Sequence, residues 1–428
     1  MKRVGALCLI SLMALVIWVR CPVEARFEAA DKWQTVQVEE SAAKHSCSLS
    51  YAPKLVNSIN GLNARGAILV NYDTGQIIYA KHEQERFHPA SITKLMVLYI
   101  VLEKIHQGLH QWEEPVQISE KVERVNEAQV YLKKGEVLSL QELVKAMMVA
   151  SANDAAVALA EKVAGSEEAF VRIMNQRAVA LGLTNSHFIN ASGLPGMNNA
   201  NHYMSAYDIA LLTKIILEEY PEALDFSRLK TTTIRNGAYP IKSTNNLLEL
   251  FAGADGLKTG YTDKARWCLV ATAQREDQRF ISVVMGSPTK EIRSANTVAL
   301  LDYGFQQYQR VKAIYINGEQ SKLNQKPIFV AGTVLAPVRC LTDTMSLNVE
   351  YDQEEILITG QGTQVKFQVG SNRAAWNNQS VELTQPVQRI KGNIMVPLRF
   401  LTQAFGGDIQ WDKANKVIHI NLEHKHVI

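Results

Sequence analysis

Apolar positions recur along the chain with two different periods, and the order in which they alternate sets the first expectation about architecture. Ala67-Ile68-Leu69-Val70-Asn71-Tyr72 and Gln76-Ile77-Ile78-Tyr79-Ala80 are short apolar runs joined by Asp73-Thr74-Gly75, the pattern of a β-hairpin. From Ser91 the spacing changes. Leu95, Met96, Leu98, Tyr99, Leu102 and Ile105 recur at three- and four-residue steps, which predicts a helix. Further helices are predicted over Leu138–Met148, Asp154–Val163 and Ala206–Leu217, then strands over Gly256–Tyr261, Trp267–Ala273 and Phe280–Met285, then a helix over Thr297–Tyr308. Strands, a block of helices, strands and a closing helix predict an α+β domain over residues 52–308, an antiparallel sheet covered by helices.

Beyond about residue 310 the pattern shifts to short strands, and the chain repeats itself. Val334-Leu335-Ala336-Pro337-Val338-Arg339-Cys340-Leu341-Thr342 lines up with Ile394-Met395-Val396-Pro397-Leu398-Arg399-Phe400-Leu401-Thr402. Without a gap, Val349-Glu350-Tyr351-Asp352 then meets Ile409-Gln410-Trp411-Asp412. Two copies are too few for a solenoid. The expectation is one small duplicated α/β domain over residues 311–422, each half a strand, a short helix and a strand.

The N-terminus reads as a targeting segment. Met1-Lys2-Arg3 precedes a charge-free run from Val4 to Val19, and Val23-Glu24-Ala25 offers small residues at a cleavage site. The run is short against the ~20 apolar residues of a spanning helix, so residues 1–25 are expected to be a cleaved signal peptide and the protein to be exported. Residues 26–51 are polar and lack a period, and read as a flexible lead-in. Export makes the cysteines informative. Cys47, Cys268 and Cys340 would remain, an odd and widely spaced set that is neither a disulfide framework nor a zinc site. Lys and Arg total 45 against 42 acids, a net charge of +3 that argues against nucleic acid as a partner.

Candidate chemistry begins with Ser91-Ile92-Thr93-Lys94. A hydroxyl nucleophile needs a base, and positions three apart on a helix share a face. Lys94 must be largely neutral to serve, and desolvation among Leu95, Met96 and their neighbours would lower its pKa. Alone the motif is weak, since Ser41–Lys44, Ser227–Lys230 and Ser287–Lys290 have the same spacing. Ser151-Ala152-Asn153 follows between two apolar helices, where a hydroxyl can relay a proton and an amide can bind substrate. Its bland reading is a helix cap, and Ser294-Ala295-Asn296 copies the pattern. Lys258-Thr259-Gly260-Tyr261 is the only K-T-G, at the start of a strand. A lysine and a threonine there suit a carboxylate, and Gly260 permits close backbone approach.

In this order the three motifs are far more specific than any one, and they form the signature of penicillin-binding proteins and serine β-lactamases. Pro89 to Met96, Ser151 to Ala156 and Asp255 to Thr262 resemble low-molecular-mass D-alanyl-D-alanine carboxypeptidases, as do His187-Phe188, Ser192-Gly193-Leu194-Pro195 and His202 to Leu212. The resemblance covers residues 52–308 and implies the fold shared by β-lactamases and DD-peptidases. It implies a wall stem peptide ending in D-Ala-D-Ala as substrate, β-lactam antibiotics as ligands, and no cofactor. Carried onto this sequence, Ser91 would be the acylated nucleophile, Lys94 its base, and Ser151 and Asn153 the cleft lining. Lys258 and Thr259 would hold substrate, with Gly260 beside them. The backbone N–H groups of Ser91 and Tyr261 would form the oxyanion hole, and Arg293 would bind the carboxylate.

Two other functions are weighed against this one. A class A β-lactamase would carry E-x-x-L-N between the second and third motifs, and none lies between Asn153 and Lys258. A non-catalytic wall-binding protein would need no serine–lysine pair. The duplicated segment resembles the small domain named after the N-terminus of copper amine oxidases, a name that does not imply copper. His419, His424 and His426 lie at the chain end without a cysteine or carboxylate set, so no metal site is expected. The tail lacks the apolar face of an amphipathic anchor. The module is instead expected to dock on the wall or on a protein, and a chain ending near Gln309 to fold and act without it.

Overall fold

The computed structural model describes residues 48–51, 59, 61–195, 201–276, 278–307, 311–323, 325–330, 332–390, 392–412 and 414–422. The expected signal segment, most of the lead-in, Cys47, His424 and His426 lie outside them.

Six strands form the main sheet, in the order Ser50–Tyr51, Gln76–Lys81, Gly66–Asn71, Gln278–Ser287, Arg266–Arg275 and Ala254–Thr262. Ser50–Tyr51 pairs in parallel and every other neighbour is antiparallel. The predicted hairpin therefore pairs through Gly66–Asn71 with Gln278–Ser287, a strand about two hundred residues later, and the K-T-G strand is the outer edge of the sheet. Alternation assigns the two faces. Along Arg266–Arg275, Cys268 and Val270 join the helical core, whereas Leu269, Ala271 and Ala273 join a second core on the opposite face.

The helix after Ser91 runs Lys94–His106 and is buried on all sides from Lys94 to Glu103. It is a central helix, not an amphipathic one. Helices Leu140–Val149, Asn153–Ala164 and Ala206–Glu219 surround it in the helical core, near their predicted positions. Val137–Ser139, partly expected as helix, is a strand, because Ser139 caps the next helix in a capping box with Glu142. The closing helix begins at Lys290 rather than Thr297, where the Thr289 hydroxyl accepts the Ile292 N–H at 3.2 Å. Helix Glu167–Ala180 was not expected from the pattern. Its buried apolar stripe is narrow, Phe170, Met174 and Ala178, but Ser166 caps it.

In the C-terminal segment each half shows a strand, a short helix and a strand. These are Thr333–Pro337, Arg339–Thr342 and Asn348–Asp352, then Asn393–Pro397, Leu398–Ala404 and Gly407–Asp412. Thr333–Pro337 and Asn393–Pro397 pair with each other at the centre of a four-stranded sheet. One face of that sheet, with Ala336 and Val396, packs into a core of the segment's own. The other face, with Leu335 and Met395, enters a core containing Leu62, Leu69, Tyr79, Leu269 and Leu301. Gln76 Nε2 also donates to Gln385 Oε1 at 3.2 Å in a buried position. The catalytic half thus has one core of its own and a second that it shares with the C-terminal segment.

Candidate active site

The nucleophile candidate sits on a strained turn. Ala90–Thr93 is a 3₁₀ turn that runs straight into helix Lys94–His106. Ala90 has φ 47°, a left-handed conformation that a residue with a Cβ adopts only when its surroundings impose it. Gly193 is one imposing contact. A Cβ there would lie 1.9 Å from the Ala90 carbonyl oxygen, so only glycine can press against this turn. Gly260 is another, since its Cβ would meet the Pro89 carbonyl oxygen at 2.9 Å. Gly193→Ala is therefore expected to displace Ser91 and cut penicillin acylation at least tenfold, as misplacement by about 1 Å does. Stopped-flow acylation checks this, with circular dichroism to confirm folding.

Lys94 is fully buried, and its Nζ has three neighbours: Ser91 Oγ at 2.8 Å, Asn153 Oδ1 at 2.7 Å and the Ser192 carbonyl oxygen at 2.8 Å. Burial pulls the lysine well below its ordinary pKa, and the cationic Lys258 pulls it further. The count of hydrogens then decides the geometry. A neutral amine has two N–H bonds and one lone pair. The amide oxygen and the backbone carbonyl can only accept, so they take both N–H bonds. The lone pair is left for the Ser91 hydroxyl, the direction needed to remove its proton.

The second and third motifs meet across the cleft. Lys258 Nζ donates to Ser151 Oγ at 2.7 Å, and burial lowers its pKa to about 7. Ser151 has φ 61°, a second left-handed residue at the site. Asn153 opens helix Asn153–Ala164 and is gripped twice. Its backbone N–H donates to the Ala128 carbonyl at 2.7 Å and its Nδ2 to the Asn126 carbonyl at 3.0 Å. The next residue, Asp154, accepts from the Val130 and Leu132 N–H groups at 3.1 Å each, which fixes the same loop. Thr259 Oγ1 lies 2.6 Å from Thr244 Oγ1. A nucleophile, a desolvated amine, a second hydroxyl, a buried cation and an open strand edge thus converge on one cleft.

Sequence comparison agrees with that chemistry. Residues 54–289 match the family model described as D-alanyl-D-alanine carboxypeptidase, which spans more than half of the chain. The chain belongs to this family. A D-alanyl-D-alanine carboxypeptidase of Bacillus subtilis is 36% identical over 285 residues, covering 65% of this chain and 72% of the relative. Penicillin-binding protein D2 of Listeria monocytogenes, solved with ampicillin bound, is similar with a TM-score of 0.53 and 32% identity. It covers 57% of this chain and 99% of that one. Penicillin-binding protein 6B of Escherichia coli gives 0.59 and 29%, covering 79% and 99%. Residues 315–420 match the copper amine oxidase N-terminal domain. Among the described residues no group of three or more His, Cys, Asp or Glu is placed to hold a metal ion.

The carboxypeptidase brings Ser91, Lys94, Ser151, Asn153, Lys258 and Thr259 into one cleft, with Gly260 against the turn that carries Ser91. Tyr261 is half exposed on the edge strand, its ring 4.3 Å from Trp267 and its hydroxyl bonded to Asp263. Arg293 is buried. Its Nη2 donates to Asn246 Oδ1 at 2.6 Å, which ties it to the loop that carries Thr244 behind Thr259. The other S-x-x-K serines within the described residues have structural roles: Ser227 donates to the Asp255 carbonyl at 2.8 Å, and Ser287 accepts from Asn296 at 3.2 Å. Sequence reasoning missed the Ser192 carbonyl, the Asn126 and Ala128 carbonyls, and Thr244. Three act through backbone oxygen, which no residue type signals. His202, named above only as part of a resembling stretch, has its Nε2 2.8 Å from Thr93 Oγ1, and burial lowers its pKa to about 4, keeping it neutral at pH 7.

Proposed function

We propose that Ser91 carries the acyl-enzyme of this serine-type D-alanyl-D-alanine carboxypeptidase, acting outside the cytoplasm on stem peptides ending in D-Ala-D-Ala. The observation that carries the assignment is the coordination of Lys94, whose lone pair has only Ser91 to face. Lys94 takes the Ser91 proton as Oγ bonds to the carbonyl carbon of the penultimate D-alanine. The oxyanion is held by the N–H groups of Ser91 and Tyr261. The proton passes by way of Ser151 to the amide nitrogen, the C–N bond breaks, and D-alanine leaves. Water adds to the ester, Lys94 removes its proton, and the shortened peptide departs as Ser91 regains its hydrogen. Lys258 and Thr259 bind the terminal carboxylate, with Arg293 fixing the loop behind Thr259. A β-lactam follows the first half of this path and remains as a slowly hydrolysed ester.

Ser91→Ala is expected to abolish labelling by a fluorescent penicillin and release of D-alanine, and Ser227→Ala and Ser287→Ala to leave both intact. Labelling of Ser91→Ala would overturn the assignment. Mass analysis of products from a pentapeptide stem and from a crosslinked dimer separates carboxypeptidase from endopeptidase action.

The pH profile follows from the two lysines. Lys94 must be neutral, so kcat/KM rises as pH rises through its lowered pKa. Lys258 must be cationic to bind the carboxylate, so kcat/KM falls as pH rises past about 7. Bound carboxylate stabilises the charged lysine, so the alkaline limb of kcat should lie at higher pH than that of kcat/KM. A coincident alkaline limb in both profiles would remove Lys258 from this role.

A further inference from the structure

We propose that the cavity at the junction of the two C-terminal halves binds a carboxylate-bearing segment of the same wall peptide that the catalytic cleft trims. The proposal rests on the function assigned above for the identity of the polymer, and on the following geometry for the site. The cavity measures about 360 Å³, within the range of small-ligand sites. One wall is Pro337-Val338-Arg339-Cys340 from the first half and the other is Gly392-Asn393-Ile394 from the second, so the duplication itself builds it.

Its lining adds cationic and hydrogen-bonding groups to the apolar Leu323, Pro337, Val338 and Ile394. Lys322, Arg339 and Arg389 stand on it, with Tyr351 and Gln353 beside them. Arg389 is engaged by Glu354 at 3.4 Å, and Asp343 adds one carboxylate to the wall. Lys322 and Arg339 have no ion-pair partner among the described residues, and both are exposed. An arginine fork and an ammonium at one cavity mouth match a carboxylate. Tyr351, 44% exposed, offers a ring face to the rest of the ligand.

The repeat places a small residue on the cavity lining where its counterpart is large. Position 340 is Cys and its counterpart 400 is Phe. The Phe400 ring packs against Phe367 and Trp376, with centroids 5.9 and 6.3 Å apart. Cys340, whose Sγ lies 3.7 Å from Ser321 Oγ, presents a much smaller side chain to the cavity than a phenylalanine there would.

The test uses the full chain acylated with penicillin, so that the catalytic cleft is occupied, and peptidoglycan stripped of phosphate polymers with hydrofluoric acid. The wild type should sediment with it at moderate salt. Lys322→Gln with Arg339→Gln, both on the surface, should weaken retention about tenfold. Cys340→Phe should weaken it similarly without changing charge. A synthetic stem tetrapeptide should compete and its C-terminal amide should compete less. Equal retention of the double variant, or none of the wild type, overturns the proposal. Competition by poly(glycerol phosphate) but not by the tetrapeptide also overturns it, in favour of a phosphate ligand. Penicillin labelling is scored in the same samples, so a failure of the catalytic assignment appears as loss of labelling and a failure of this one as loss of retention alone.

Discussion

Lys94→Arg will lower the rate of acylation by penicillin by a factor of about one hundred or more, with the protein still folded. The guanidinium keeps a charge and cannot shed its proton near neutrality. The site makes the loss specific. Asn153 Oδ1 and the Ser192 carbonyl already accept from Lys94, so the one function left for Nζ is to receive the Ser91 proton. Lys94→Arg would offer Ser91 only N–H donors. It would also bring a larger group into a fully buried position 59 residues in sequence from its nearest amide partner. Lys94→Met removes the charge and keeps the length, and it separates the two effects: its acylation rate should fall as far, with less loss of stability. Stopped-flow quenching with a fluorescent penicillin reads both variants. An acylation rate within threefold of wild type in either one would assign the base elsewhere. In the wild type the acidic limb of acylation must track Lys94, and Lys258→Gln should move that limb to higher pH, because the Lys258 charge is what lowers Lys94 beyond the effect of burial.

The candidate site residues could be picked out because each belongs to a motif whose chemistry needs particular side chains at fixed spacing. Ser91 and Lys94 lie one turn apart, and Lys258 lies on a strand whose apolar alternation is plain. What positions them was not legible. The Ser192 and Asn126 carbonyls are backbone atoms, and Thr244 sits in a loop without periodicity. Arg293 illustrates a partial reading. The family resemblance singled it out for the carboxylate, and the structure shows it buried and tied to Asn246, in the loop that carries Thr244 behind Thr259. The shared core was hidden for a different reason. Leu335 and Met395 alternate with Ala336 and Val396, and a strand pattern that is apolar at successive positions says both faces are covered without saying by what.

That core changes what removal of the C-terminal segment should do. A chain ending near Gln309 should keep the acylation site, because Ala90, Ile92 and Ala152, beside Ser91 and Ser151, pack in the helical core, and Lys258 on the edge strand reaches Ser151 at 2.7 Å. The Listeria monocytogenes structure is matched over 99% of its chain by 57% of this one, which is consistent with that expectation. In this chain, however, the sheet face opposite the helical core has Val330, Leu335, Ile390 and Met395 packed against it, each no more than 2% exposed. Removing them uncovers Leu62, Tyr79 and their neighbours. At about 1.5–3 kcal/mol per fully buried side chain, counted on one face only, the loss is on the order of 5 kcal/mol. For a domain of this size it should lower the melting temperature on the order of 10 °C. Met395→Asp in the full chain tests the same contact without truncation, because it buries an unpaired carboxylate in that core. Both variants should melt earlier while labelling with penicillin at near the wild-type rate when folded. A truncated chain that melts with the full one would mean that the shared core adds no stability. Loss of labelling in a well-folded Met395→Asp protein would mean instead that the segment shapes the cleft through the sheet between them.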